Sequence, residues 1–182
     1  MENKRTRIVC IHGFKGKPEN LTYRKLKRMI PDAEIIAEGY DLTDVHTVFR
    51  RIEELKPDIL AGNSLGGFYV LAYEGECKKI VVNPCLIPAN DIPKLDDSIP
   101  KETIFLWVDL VKKLGTSMKN AFGIFSKDDE LFQYKKEFDL LCNTEEQSIS
   151  VEGTHVLKDP GLSEGLKKAF EYHRLENINK SV

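Results

Sequence analysis

The chain has 182 residues, of which 31% are charged and 41% are apolar, and its formal net charge is −2 at pH 7. This length suits one domain, and this composition is typical of a globular protein rather than of a disordered or fibrous one. Nucleic acid or an anionic membrane surface would call for a basic protein, and the charge argues against both. We therefore expect a single domain over residues 1–182 with a small-molecule partner.

The start of the chain, "MENKRTRIVCIHGF", is basic, but its apolar run ends after Ile11. That run is too short for the core of a signal peptide or for a membrane span, so we expect a cytoplasmic protein without membrane insertion. The four cysteines show no CxxC spacing. A zinc site or a disulfide framework is therefore not expected, and free thiols are.

Six short runs rich in β-branched residues predict strands. They are "RIVCI" (7–11), "AEIIA" (33–37), "DILA" (58–61), "KIVVN" (79–83), "AFGIF" (121–125) and "QSISV" (147–151).

Between these runs the apolar residues recur every three or four positions, as they do in amphipathic helices. Such stretches cover 45–55, behind a cap at Thr43, then 131–141, and the region around 166–170. Strands that alternate with helices predict right-handed crossovers and a sheet covered on both faces. The expected fold class is α/β, a three-layer α/β/α sandwich with a mainly parallel sheet of about six strands.

Residues 84–118 interrupt this alternation with four of the chain's eight prolines, before a helix predicted from about 102 to 113. We interpret the segment as an excursion above the sheet edge, in the manner of a lid or cap. Its residues Leu86, Ile87 and Trp107 are candidates for an acyl-binding pocket. Covering the edge of the sheet explains each of them equally well.

The stretch "GNSLGG" (62–67) joins the third predicted strand to the apolar run "FYVLAY". Gly62, Ser64 and Gly66 fit the G-x-S-x-G nucleophile elbow, a tight strand-to-helix turn that strains the serine backbone and exposes its hydroxyl. The flanking glycines relieve crowding where the helix and strand backbones approach each other. The alternative is a glycine-rich turn with an incidental serine, but ligands of parallel sheets gather at this end of the strands.

A serine nucleophile needs a general base, which in turn needs an orienting carboxylate. Of the four histidines, His155 in "EGTHVL" directly follows the last predicted strand, and we predict that it is the base. His12 and His46 precede the serine, whereas the expected order is Ser, acid, His. His173 lies on the last predicted helix, where we expect a solvated side chain.

The acid is expected after the fifth strand, where "GIFSKDDELF" supplies Asp128, Asp129 and Glu130. Asp129 is the first choice, and the other two remain alternatives. Such a cluster also commonly caps the N-terminus of the next helix, which is expected to begin near Leu131. One carboxylate would then cap that helix while its neighbour orients His155.

Acyl transfer also requires hydrogen-bond donors for the oxyanion of the tetrahedral intermediate. The backbone N–H of Leu65, the residue after the nucleophile, supplies one. The second is expected from the loop "IHGFKG", where Gly13 allows close approach and the Phe14 amide can point inward. His12 is expected to hold this loop by hydrogen bonding rather than to act in acid–base chemistry.

With these segments in this order, the chain resembles the α/β-hydrolase superfamily, and most of all the small single-domain bacterial esterases of the YqiA/YcfP type. The resemblance rests on "IHGFKGKP" (11–18), "GNSLGGFYV" (62–70), "IVVNPCLIP" (80–88), "DELFQY" (129–134) and "EGTHVL" (152–157). It implies that Ser64 forms an acyl-enzyme that water then cleaves. It also favours Asp129 over Asp128, because the acid of that family is followed by Glu and an aliphatic residue.

We therefore predict a serine hydrolase for a small carboxylic ester or thioester, with no metal and no organic cofactor. Two alternatives remain open. An acyltransferase or a C–C hydrolase would use the same three residues, and a non-catalytic interaction protein would keep the elbow only as a turn.

Overall fold

The computed structural model describes residues 5–175, and six parallel strands form one sheet within that range. The strands are β1 (Arg7–Ile11), β2 (Glu34–Ala37), β3 (Ile59–Asn63), β4 (Lys78–Val82), β5 (Ala121–Ser126) and β6 (Ser148–Val151), in the spatial order β2-β1-β3-β4-β5-β6. Every predicted strand is present, so the prediction of the sheet is confirmed. Residues 1–4 and 176–182, which the single-domain prediction includes, lie outside the described residues.

Helices cover both faces of this sheet. They are α1 (Leu21–Met29), α2 (Val45–Leu55), α3 (Leu65–Ala72), α4 (Pro88–Leu95), α5 (Lys101–Val111), α6 (Leu114–Ser117), α7 (Lys135–Cys142) and α8 (Gly161–His173). Successive residues of a strand point to opposite faces, and β1 shows the result. Ile8 packs with α1 and α8, whereas Val9 packs with the helices of the other face. The three-layer α/β/α prediction is confirmed.

Helix α2 begins at Val45 as predicted, but its cap is Asp44 and not Thr43. The Asp44 carboxylate accepts a hydrogen bond from the Thr47 N–H at 3.0 Å. Thr43 instead donates its N–H and its hydroxyl to the Asp41 carboxylate, at 2.9 and 2.7 Å. The threonine therefore belongs to the turn that precedes the helix.

The segment 84–118 folds into the three helices α4, α5 and α6, of which only α5 was predicted. Trp107 on α5 is fully buried, and its indole N–H donates to the Tyr69 hydroxyl of α3 at 2.9 Å. The Thr103 hydroxyl donates to the Thr43 carbonyl at 2.8 Å. These contacts make the segment part of the layer that covers one face of the sheet, and its interpretation as a lid stays a prediction.

No helix between residues 5 and 175 has both the length and the apolar character that a membrane span requires. All four cysteines are free thiols, as expected, and Cys142 is the least buried of them.

Candidate active site

The predicted catalytic residues lie beyond the carboxyl ends of three strands. Ser64 directly follows β3, Asp129 lies three residues beyond β5, and His155 lies four residues beyond β6. Since all six strands run in the same direction, these loops share one edge of the sheet. The edge therefore brings together residues from the loops that follow three different strands.

The Ser64 turn is strained. Its backbone has φ 54° and ψ −127°, a conformation that residues other than glycine rarely adopt. A Cβ atom on Gly62 would lie 2.6 Å from the Gly66 carbonyl oxygen, and one on Gly66 would overlap the carbonyl oxygens of Ile11 and His12. Only glycine fits at these two positions, and the strained turn predicted from G-x-S-x-G is present.

His155 and Asp129 form a hydrogen-bonded pair. The Nδ1 atom of His155 lies 3.0 Å from Oδ2 and 3.1 Å from Oδ1 of Asp129. A carboxylate only accepts hydrogen bonds, so this contact assigns the hydrogen to Nδ1 and leaves the lone pair of Nε2 available as a base. The Phe132 ring packs edge-on against the imidazole, with 5.0 Å between ring centroids. The imidazole is thus held in one orientation.

Asp129 also accepts hydrogen bonds from the N–H groups of Leu131 and Phe132, both at 2.8 Å. These bonds hold the chain beyond β5 in a turn, and α7 begins at Lys135 rather than near Leu131 as predicted. We expected one carboxylate to cap the next helix and its neighbour to orient His155. This expectation is wrong, because Asp129 both accepts the hydrogen bonds of this turn and contacts the histidine.

The two alternative acids have other environments. Glu130 accepts a hydrogen bond from the His155 backbone N–H at 2.9 Å, and this bond holds the pKa of the Glu130 carboxyl below its usual value. Asp128 is exposed, and its backbone N–H donates to the Gly153 carbonyl at 3.0 Å. Of the three carboxylates, Asp129 is the one that contacts the imidazole of His155.

His12 holds the loop after β1. Its Nε2 accepts a hydrogen bond from the Tyr40 N–H at 2.9 Å, so the hydrogen of the neutral ring is on Nδ1, which donates to the Gly13 carbonyl at 2.7 Å. The Gly16 N–H donates to the same carbonyl at 2.9 Å. The expected role of His12 in holding this loop is confirmed.

These bonds also set the direction of the Phe14 amide. In a trans peptide the C=O and N–H groups point in opposite directions, so a Gly13 carbonyl aimed at His12 turns the Phe14 N–H away from that ring. In the described part of the chain, the Phe14 N–H makes no hydrogen bond. A Cβ on Gly13 would lie 3.1 Å from the Ser64 Cβ, so this peptide lies beside the serine.

Leu65 is the first residue of α3, and its N–H therefore has no partner within the helix. The Ser64 hydroxyl makes no hydrogen bond with any described residue, His155 included. The serine and the histidine are held on the same edge of the sheet without a direct bond between them.

A cavity of about 420 Å³ opens beside the loop after β1. Its wall includes His12, Phe14 and Lys15 from that loop, together with residues of 40–43 and 96–100. An ion pair of 2.5 Å between Lys15 Nζ and Asp96 Oδ2 joins two sides of the wall.

The three residues predicted for an acyl pocket do not line this cavity. Leu86 and Trp107 lie in the apolar core, with 2% and 0% of their surfaces exposed, and Ile87 is half-buried. The sequence analysis missed 40–43 as a cavity wall, whereas 96–100 lies in the segment 84–118 that it interpreted as a lid or cap, although it named none of these residues. The position of residues 40–43 just beyond the carboxyl end of β2 is the signal that could have identified them.

The family model described as "Uncharacterised protein family (UPF0227)" matches residues 7–173. The chain belongs to UPF0227. No curated protein sequence matches this UPF0227 chain.

Several solved structures resemble the UPF0227 chain. A proposed hydrolase of the alpha/beta superfamily from Xanthomonas campestris pv. campestris aligns with a TM-score of 0.62 and 14% identity, over 93% of this chain and 98% of that one. A proposed YdeN-like hydrolase from Pectobacterium atrosepticum gives 0.57 and 16%, over 92% of both chains. A proposed aryl esterase from Burkholderia cenocepacia gives 0.56 and 12%, over 97% and 92%. These likenesses show the fold, and the α/β fold that the resemblance implies is confirmed.

Proposed function

We propose that the protein is a serine hydrolase that cleaves a small carboxylic ester or thioester through an acyl-enzyme. The observation that carries this proposal is the His155–Asp129 pair on the same sheet edge as the strained turn of Ser64. A histidine with a carboxylate on Nδ1 and a free Nε2 is the base that a serine hydroxyl needs. The α/β-hydrolase fold agrees with this chemistry.

In the first step the Ser64 Oγ attacks the substrate carbonyl carbon, and its proton passes to Nε2 of His155. The Asp129 carboxylate stabilises the imidazolium that results. The carbonyl oxygen becomes an oxyanion, for which the N–H groups of Phe14 and Leu65 are the donors. One such donor lowers the barrier by roughly 3 to 4 kcal/mol.

In the second step His155 gives its proton to the leaving alcohol or thiol, and the C–O or C–S bond breaks. Water then attacks the acyl-enzyme while the same Nε2 takes its proton, and Ser64 is regenerated. Hydrogen bonds of this kind are often long in a free enzyme and tighten when substrate binds. The unpaired hydroxyl of Ser64 is compatible with that sequence of events.

The cavity beside Phe14 is the place for one substituent of the bound ester. Its volume of about 420 Å³ is in the range of small-molecule sites. Its wall carries the charged Lys15 and Asp96 and the hydroxyl of Ser98, which suits a short substituent with polar groups. A larger cavity of about 900 Å³ beside α7 does not include the loop of Phe14, and we place the substrate in the smaller one.

A fluorophosphonate probe tests the proposal, because it reacts covalently with an activated serine. We expect one label per chain, located on Ser64 by peptide mass spectrometry. Ser64→Ala should abolish labelling, and His155→Ala should slow it at least about 100-fold, in line with general-base contributions. Ser163→Ala, which changes a serine on α8, is the matched control and should label as the wild type does.

Absence of labelling and of ester hydrolysis in the wild type would refute the proposal and leave the non-catalytic alternative. A panel of esters and thioesters of increasing acyl length would identify the preferred substrate. Product analysis with added alcohol would separate hydrolysis from acyl transfer.

A further inference from the structure

Asn83 directly follows β4, the strand beside the Ser64 strand, and only 1% of its surface is exposed. Its backbone has φ 45°, in the left-handed region that asparagine tolerates better than most residues do. Its backbone N–H donates to the Ile124 carbonyl of β5 at 2.8 Å. The backbone of Asn83 is therefore held in place at the carboxyl edge of the sheet.

The side-chain amide of Asn83 joins two other strand ends. Its Oδ1 accepts a hydrogen bond from the Ser126 N–H at 2.7 Å, and its Nδ2 lies 2.8 Å from the Ser126 Oγ. The same Nδ2 donates to the carbonyls of His155 at 3.0 Å and Thr154 at 3.2 Å. Three acceptors share the two hydrogens of one amide, so its capacity as a donor is fully used.

The chain on either side of Asn83 is bonded to the nucleophile. The Ser64 N–H donates to the Val82 carbonyl at 3.0 Å, and the Cys85 N–H donates to the Ser64 carbonyl at 3.1 Å. The backbone of Ser64 is thus fixed relative to Asn83, and Asn83 in turn holds the backbone of His155. This path joins the two residues whose hydroxyl and imidazole are not bonded to each other.

The loop of His155 (152–157) also contacts the turn that follows β5 (129–132). Asp129 bonds the ring and Glu130 bonds the backbone N–H, and both follow β5. These contacts orient the imidazole relative to β5, which is separated from the Ser64 strand β3 by β4. Among the described residues, Asn83 is the one whose side chain bonds the His155 backbone carbonyl and whose neighbours Val82 and Cys85 bond the Ser64 backbone.

We propose that Asn83 is a positioning residue that sets the distance between His155 Nε2 and Ser64 Oγ. This inference rests on the proposed serine-hydrolase function. A misplacement of about 1 Å between reacting groups lowers turnover roughly 100-fold, so loss of the amide should reduce kcat while the substrate cavity remains intact.

Two variants test this role. Asn83→Asp keeps the size, the tolerance of positive φ and the acceptor for Ser126, but it turns an oxygen toward the two carbonyls of the His155 loop. Asn83→Gly keeps the backbone conformation and removes the amide. Ser126→Ala is the matched control, since it removes one acceptor of the same amide and leaves its bonds to the Thr154 and His155 carbonyls in place.

The measurements are kcat and KM on a p-nitrophenyl ester, the fluorophosphonate labelling rate and the thermal unfolding midpoint. We expect kcat and the labelling rate to fall about 10-fold to 100-fold in both Asn83 variants, with KM within about threefold of the wild type. Ser126→Ala should stay within about threefold in kcat. If Asn83→Gly does not fold, Asn83→Asp carries the comparison.

An Asn83 variant that is folded at the assay temperature and keeps the wild-type kcat would overturn the inference, even if its unfolding midpoint is lower. In that case labelling of the wild type, lost in Ser64→Ala, would show that the proposed function still holds. A wild type that does not label would refute the proposed function itself, so the two failures are distinguishable.

Discussion

The hydrogen bond from His12 Nδ1 to the Gly13 carbonyl can be broken while its neighbours are kept. In His12→Gln the side-chain amide takes the place of Nε2 and can accept from the Tyr40 N–H, but nothing replaces the Nδ1 donor. In His12→Asn the amide takes the place of Nδ1 and can donate to the Gly13 carbonyl. The pair separates the two bonds that the ring makes.

The expected loss of kcat depends on the hydrogen bonds to the Gly13 carbonyl that remain in His12→Gln. If the Gly13–Phe14 peptide turned completely, the loss of one oxyanion donor would lower kcat about 100-fold to 1,000-fold. The Gly16 N–H still holds the Gly13 carbonyl at 2.9 Å, so the peptide loses one of two bonds. A bond with a net contribution of about 1 kcal/mol shifts the orientation equilibrium about fivefold. We therefore expect kcat of His12→Gln to fall about twofold to fivefold, far less than if the peptide turned completely.

The assay pairs kcat on a p-nitrophenyl ester with the affinity of a trifluoromethyl ketone, which forms a tetrahedral adduct with a serine nucleophile. A weakened oxyanion site should reduce both by a similar factor and leave KM nearly unchanged. His12→Asn should stay close to the wild type. Equal damage in both variants, or a wild-type kcat in His12→Gln, would refute the assignment of Phe14 orientation to the Nδ1 bond.

Three further changes have defined outcomes. Ser64→Ala should lower turnover on the order of 10⁴-fold or more, and Asp129→Asn should lower it by less. Asp128→Asn should leave turnover nearly unchanged, because the Asp128 side chain is exposed. If steady-state kinetics showed a larger loss for Asp128→Asn than for Asp129→Asn, the assignment of the acid would be wrong. His173 is buried, and desolvation lowers its pKa from the usual 6.5. The unfolded chain then binds the proton more readily, so the free energy of unfolding should fall as the pH drops below about 6.5 and level off below the pKa of the folded state. Urea titrations at several pH values should show a smaller fall in His173→Gln than in the wild type. An equal fall in both proteins would contradict this. Gly66→Ala should destabilise the fold by more than about 2 kcal/mol, because its Cβ would overlap backbone that cannot move; an unchanged unfolding midpoint would contradict the close packing of the turn.

The sequence was sufficient to predict the sheet and the edge at which the candidate site residues lie. Each strand is a short β-branched run, and the order of Ser64, Asp129 and His155 after successive strands fixes their common edge. Both properties are local in sequence, so a pattern of residues reveals them. The solvated position expected for His173 was wrong, since its ring is buried and its Nε2 lies 3.0 Å from the Lys79 carbonyl oxygen.

Contacts between distant segments were not predictable in the same way. The side of α5 that Trp107 occupies depends on the Tyr69 hydroxyl, which belongs to another helix. Helix α7 begins later than predicted because the Asp129 carboxylate accepts hydrogen bonds from two backbone N–H groups and holds residues 129–132 in a turn. Asn83 lies in the stretch "IVVNPCLIP", but that pattern does not reveal its role, which arises from carbonyls more than 70 residues away.

The strand that precedes His155, β6, lies at one border of the sheet and is the last strand between residues 5 and 175. During synthesis on the ribosome, a nascent chain that has emerged only as far as Phe132 contains Ser64 but lacks His155, its proposed base. Such a chain would hold a serine that cannot be activated. Chemical competence would therefore arise only after the C-terminal quarter of the polypeptide has emerged and docked.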